Sequence, residues 1–264
     1  MKKAFAYIVT AVILTVAVVM FLNYESNITE PISTCEYTPV IETEQPTPQV
    51  TRIIEWTSAP TETPFLKREA NEYLFLVNWE NPLAEDYEPE HLVRMKSILG
   101  NLVSYKNSSI KLDETACQAA FEMFTAAKND GIKNFLIASG YRSINSQRDI
   151  EKDRLRQNPN YFSDPYNSPV KAMPHNISEY STGLAIDILS TKHRSSDDTY
   201  KDTKQAQWLK ENAHKYGFIL RYPEDKQSIT GVISEPWHYR YVGVEAATEM
   251  YELGLCLEEY VMGN

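Results

Sequence analysis

Cysteine is scarce in this chain, and basic charge is in deficit. Three cysteines, Cys35, Cys117 and Cys256, occur in 264 residues. None stands in a C-x-x-C spacing, which argues against a cysteine zinc site. An odd count leaves at least one of them unpaired within a monomer, and Cys117, inside a helical pattern, reads as a small core residue. Lys and Arg number 26 against 36 Asp and Glu, a formal net charge of -10. Nucleic-acid binding usually needs a basic patch, so no nucleic-acid partner is expected. No internal repeat is visible, and no lipid-attachment cysteine directly follows the N-terminal apolar run.

That run is the first positive feature. Residues 4–22, "AFAYIVTAVILTVAVVMFL", carry no charge, and their length is close to the ~20 residues that span a bilayer as a helix. A cleaved secretory signal is the rival reading, but the run ends "VVMFLNYESN" without a small-residue cleavage pattern. The expectation is an anchor over 1–22, with Lys2 and Lys3 keeping the N-terminus in the cytoplasm. The rest of the chain would then lie outside a cell membrane crossed once. Residues 23–69 are rich in Pro, Thr and Glu, with Pro31, Pro39, Pro46, Pro48, Pro60 and Pro64 among them. Such a stretch buries little apolar surface and predicts a disordered extracytoplasmic linker.

Residues 70–264 predict one folded domain. "EYLFLVN" reads as a strand ended by a Pro-containing turn. "KLDETACQAAFEMFTAAKNDG" predicts a helix with Asp113 as N-cap and Ala116, Ala119, Ala120, Met123, Phe124 and Ala127 at helical spacing. "NFLIASGY", "GLAIDILS", "FILRYP" and "HYRYVGV" predict strands. "INSQRDIEKDRLRQNP", "TKQAQWLKENAHKYG" and a terminal "EAATEMYELGLCLEEYV" predict helices. Without a regular β-α-β alternation, the fold class is α+β: a small mixed domain with a central antiparallel sheet and flanking helices.

Polar groups concentrate at three strand ends: "SGYRS" with Gln147 just after it, "SEYSTGLAID", and "SEPWHYRYVG". Glu235 and His238 flank Pro236 and Trp237. A rigidly held imidazole and carboxylate suit metal-assisted hydrolysis, although an isolated E-x-x-H is more often a surface acid beside a partly buried histidine. Asp187 lies in an apolar strand and needs a partner, either a cation or an arginine and backbone amides. Arg142 follows a Ser-Gly-Tyr turn, where its fork suits a carboxylate or a developing oxyanion; standing alone it would read as a surface ion pair.

Taken together, "SGYRS…Q", "S-E-x-x-T-G-L-A-x-D" and "E-P-W-H-x-R-Y-V-G" resemble the VanY-type D-alanyl-D-alanine carboxypeptidases, zinc enzymes that trim peptidoglycan stem peptides. The resemblance covers about residues 70–262. It implies Asp187 and His238 as zinc ligands, Glu235 as catalytic base and Arg142 as a catalytic contact to substrate or transition state. Ser139, Gln147 and Ser178 would be substrate-binding, and the partner a stem peptide. The family's first zinc-ligand histidine falls on Tyr180 in this chain. Three readings follow. Tyr180 binds as a phenolate, although phenol loses its proton only near pH 10; or His175, in "MPHNISEY", reaches in; or zinc is weak or absent and the domain binds peptidoglycan peptides without cutting them.

Overall fold

The computed structural model describes residues 70–263. The expected anchor (1–22) and linker (23–69) lie outside the described residues, among which no helix is long and apolar enough to cross a membrane. The described residues form seven strands: β1 (Leu92–Arg94), β2 (Ser104–Tyr105), β3 (Lys111–Asp113), β4 (Phe135–Ser139), β5 (Ala185–Ser190), β6 (Phe218–Leu220) and β7 (His238–Tyr241). The α-helices are α1 (Met95–Leu99), α2 (Glu114–Asn129), α3 (Ile144–Gln157), α4 (Lys204–Asn212), α5 (Gln227–Thr230), α6 (Val244–Leu253) and α7 (Leu257–Met262).

Helix α2 starts where its cap predicts. The Asp113 carboxylate accepts from the amides of Thr115 and Ala116, satisfying two N–H groups that the first turn leaves free. Its buried residues Ala116, Cys117, Ala120, Met123, Phe124 and Ala127 form one apolar stripe. That stripe packs on the face of the sheet carrying Phe135, Ile137, Ile186, Ile188, Tyr239 and Tyr241. Cys117 and Cys256 are free and buried. Cys117 therefore sits in the core as expected.

The main sheet has the order β2-β4-β5-β7-β6, and β1 pairs with β3 in a separate two-stranded sheet. The expected antiparallel sheet is in fact mixed, because β2 runs parallel to β4. Helix α2 lies in the connection between these two strands and supplies the crossover that parallel neighbours need. A second correction concerns "EYLFLVN". Ala70–Tyr73 is a 3₁₀ turn and the following residues join no strand. The carbonyls of Tyr73 and Phe75 instead accept hydrogen bonds from the Arg240 guanidinium, so this apolar stretch is held by a side chain. The terminal helix is also two helices, parted at Gly254 with φ +66°.

Strand register sets which residues share the second face. Asp187 pairs with His238 across β5 and β7. Between β4 and β5 the register slips at a bulge between Ile137 and Ser139. The slip places Ser139, and not Ala138, opposite Asp187. A bulge of this kind re-aims a side chain beside a site. Here it aligns three polar residues, one from each of the three central strands.

Candidate active site and metal centre

The site begins at a 3₁₀ turn, Glu179–Thr182, closed by Gly183 in the left-handed region at φ +75°. A Cβ at Gly183 would come within 2.7 Å of Leu92 Cδ2, so the turn needs glycine on both counts. The turn is stitched to the loop after β4. The Arg142 amide donates to the Tyr180 carbonyl at 3.0 Å, and Ser181 Oγ donates to the Arg142 carbonyl at 3.0 Å. Two segments that are distant in sequence thereby present Arg142 and Tyr180 to one cleft.

That cleft, about 210 Å³, is lined by Arg142, Gln147, Ser178, Tyr180, Asp187, Glu235 and His238 together with Trp237, Tyr222, Lys171 and Arg154. Ser139 does not line it. Its hydroxyl accepts from Arg142 Nη2 at 3.4 Å, so it reaches the site only through the arginine. Arg142 Nη1 donates to Gln147 Oε1 at 2.6 Å, and Gln147 Nε2 donates to the Met173 carbonyl at 2.7 Å. These bonds fix the guanidinium 4.5 Å over the Tyr180 ring.

At the floor of the cleft three donor atoms converge. Tyr180 OH donates to Asp187 Oδ1 at 2.8 Å. His238 Nδ1 lies 3.0 Å from Tyr180 OH and 3.2 Å from Asp187 Oδ1. Glu235 Oε2 stands 3.8 Å from the same nitrogen. Burial and the Asp187 and Glu235 carboxylates push the Tyr180 phenol well above its ordinary value. Burial also lifts the Glu235 carboxyl to about 8, reinforced by Asp187 and opposed by His238. For His238 burial works against the charge, but the Asp187 and Glu179 carboxylates beside the ring outweigh it and raise the imidazole to about 9.

Among the described residues, no three His, Cys, Asp or Glu side chains group to hold a metal. The trio here is completed by a phenol. One imidazole nitrogen and two oxygens facing a common point form a donor set of the kind zinc takes, so the residues fit the ion, with Tyr180 as the atypical member. His175 does not contribute. Its ring nitrogens contact Glu151 and Glu85, and it does not border the cleft.

Several residues around the site carried no signal in the sequence reading. Lys171 Nζ sits 5.0 Å from the Trp237 ring and donates to the Ser196 carbonyl. Behind His238 lies a buried ion network of Glu179, Arg221, Arg240 and Glu258. Of these Glu179 and Arg240 stand inside the quoted strand-end motifs, with no role assigned to them there.

The family profile described as VanY, D-alanyl-D-alanine carboxypeptidase, matches residues 109–244. A D-alanyl-D-alanine carboxypeptidase of Enterococcus faecalis is 36% identical over 197 residues, covering 71% of this chain. The chain spans 65% of that protein's length. Among solved structures, the LdcB LD-carboxypeptidase superposes with a TM-score of 0.64 at 33% identity, covering 74% of this chain and 88% of the other. A vancomycin-resistance D,D-pentapeptidase VanY variant in complex with Zn(II) superposes with a TM-score of 0.56 at 37% identity, covering 72% and 98%.

Proposed function

The chain belongs to the VanY D-alanyl-D-alanine carboxypeptidase family, and from that membership we propose that it is a zinc carboxypeptidase removing the terminal D-alanine of peptidoglycan stem peptides. The observation that carries the reading is the convergence of Arg142, Asp187, Glu235 and His238 on one cleft. Asp187 and His238, with Tyr180 in the third position, would hold the ion, which when bound polarises a carbonyl and acidifies a water.

The remaining work falls to the chain's own side chains. Glu235 borders the cleft beside His238, where its carboxylate would take a proton from water and pass it to the leaving amine. Arg142, pinned by Gln147 and Ser139, presents a fixed cation for the developing negative charge. Ser178 and Gln147 border the cleft where the peptide's terminal residues would lie. Trp237 forms one wall and is buried. The uncharged run at 4–22 and the Pro-rich 23–69 support a single-pass membrane tether, with the N-terminus in the cytoplasm and this domain facing the cell wall.

The test is D-alanine release by the full-length protein from D-alanine-terminated pentapeptide and tetrapeptide, with zinc added or chelated. Release is expected only with zinc, and Glu235→Gln should lower the turnover about 10²–10⁴-fold. No release from either peptide in the presence of zinc would overturn the reading and leave a peptide-binding domain. The ratio of the two rates assigns D,D or L,D preference.

A further inference from the structure

We propose that Glu179 is the positioning residue for His238: one of its carboxylate oxygens takes the imidazole Nε2–H and so turns Nδ1 toward Tyr180 and Asp187. The inference rests on the reading that His238 is a zinc ligand. It starts from two buried atoms that face each other. Glu179 Oε2 and His238 Nε2 are 3.6 Å apart, and neither has a hydrogen-bond partner among the described residues. A buried polar atom left without a partner is costly. An approach of a few tenths of an ångström brings this pair to hydrogen-bond length and satisfies both.

No neighbouring arginine competes for that oxygen. Glu179 Oε1 already accepts from Arg221 Nε at 2.6 Å and from Arg240 Nη1 at 3.0 Å. The rest of the Arg221 fork is taken by Glu258, at 2.7 and 2.6 Å. Arg240 spends its other donors on the carbonyls of Tyr73, Phe75 and Tyr241. All four side chains are buried, with relative exposures of 0–2%. The carboxylate is therefore clamped from two sides, with its second oxygen aimed at the imidazole.

The clamp has a chemical consequence. An imidazole bound to a metal is neutral and carries one N–H. Holding it on Nε2 leaves the Nδ1 lone pair for the donor group in the cleft, and a carboxylate behind a metal-bound histidine raises its basicity. The clamp also reaches both ends of the described domain. Arg240 ties down the segment at Tyr73 and Phe75, and Arg221 ties down α7 through Glu258.

The experiment uses full-length protein labelled with ¹⁵N-histidine. The chain has five histidines, and the His238 ring is assigned by its disappearance in His238→Gln. Wild-type protein should show a protonated, exchange-protected and downfield Nε2–H at His238. In Glu179→Gln that signal should move upfield, and the zinc dissociation constant, read by competition with a chromophoric chelator, should rise about 10–100-fold. Glu258→Gln should lower the melting temperature while leaving both readouts in place, which separates positioning from general support. A His238 protonated on Nδ1 alone overturns the proposal, as does a Glu179→Gln protein with unchanged signal and zinc affinity. If Glu179→Gln does not fold, the wild-type spectrum decides. Wild-type protein that binds no zinc would overturn the metal reading of the cleft, while the ring spectrum would still decide this proposal.

Discussion

The two edges of the His238 ring face opposite kinds of environment. Toward the cleft, Nδ1 meets a phenol and two carboxyl groups whose charges are poorly neutralised, and Glu235 is driven up to about 8. Behind the ring, Glu179, Arg221, Arg240 and Glu258 balance two positive charges with two negative ones and leave the guanidinium donors satisfied. The cleft edge is short of positive charge, whereas behind the ring each guanidinium nitrogen has a partner and the atoms left open are the facing Glu179 Oε2 and His238 Nε2. Functional sites commonly keep such local misfit on a support that is itself well satisfied. In this domain the division runs through a single imidazole.

The sharpest way to break the comparison is to remove the support. Arg221→Met leaves Glu258 buried without a cation and Glu179 with one arginine in place of two. Uncovering a buried charge in this way costs about 3–5 kcal/mol. For a domain of this size that lowers the melting temperature by roughly 10 °C, measurable by thermal or urea unfolding. The double variant Arg221→Met, Glu258→Leu should recover part of the loss, because it removes the stranded charge along with its partner. A single variant as stable as wild type would show that the network is not the support its geometry indicates.

The cleft side is tested by Tyr180→His. The phenol now gives its proton to Asp187, and burial with the nearby carboxylates opposes losing it. An imidazole in its place offers a lone pair at neutral pH with no proton to displace. Zinc affinity should tighten about 100-fold, on the scale by which ligand-sphere changes act, equivalent to about 2.7 kcal/mol. Equilibrium dialysis against a chelator reads it directly. Unchanged affinity would mean that the phenol is already as good a donor as the histidine.

What the sequence disclosed follows the same division. The α+β class, the α2 cap at Asp113, and the meeting of Arg142, Gln147, Ser178, Tyr180, Asp187, Glu235 and His238 at one cleft were legible. Caps, apolar periodicity and the strand-end motifs are local signals. Ser139, expected to bind substrate, does not line the cleft, and its part in holding Arg142 depends on a register slip in β4 that local composition does not encode. The ion network was illegible because no local signal pairs its members: Glu179 and Arg240 stand in separate motifs 61 residues apart, and Arg221 and Glu258 in neither. The misread strand at "EYLFLVN" has the same cause. Its carbonyls are claimed by Arg240, from 165 residues away at Phe75. The mixed sheet escaped notice because β2 is only two residues long.

The mildest test of the comparison is pH, since the two sides of His238 respond with opposite sign. In the metal-free protein Glu235 and His238 have folded values near 8 and 9, against ordinary values of 4.5 and 6.5. Both groups hold protons in the fold that the unfolded chain has already released. Their stabilisation is complete below the ordinary values and is lost as pH rises through the folded ones. Glu179 behaves in reverse. Burial disfavours its charge, but Arg221 and Arg240 outweigh that and hold its carboxyl far below 4.5, so its stabilisation is present above 4.5 and lost only in acid. Between about pH 6 and 8 only the cleft side titrates, and each proton taken up contributes about 1.4 kcal/mol per pH unit. With metal chelated, the two protons together should make the melting temperature fall roughly 5–10 °C per pH unit across that window. Glu235→Gln should flatten the slope while leaving the acid limb untouched, because that limb belongs to carboxyl groups outside the cleft floor, Glu179 among them. A melting temperature that rises with pH in this window would reverse the assignment of protons on which the cleft side of the comparison rests.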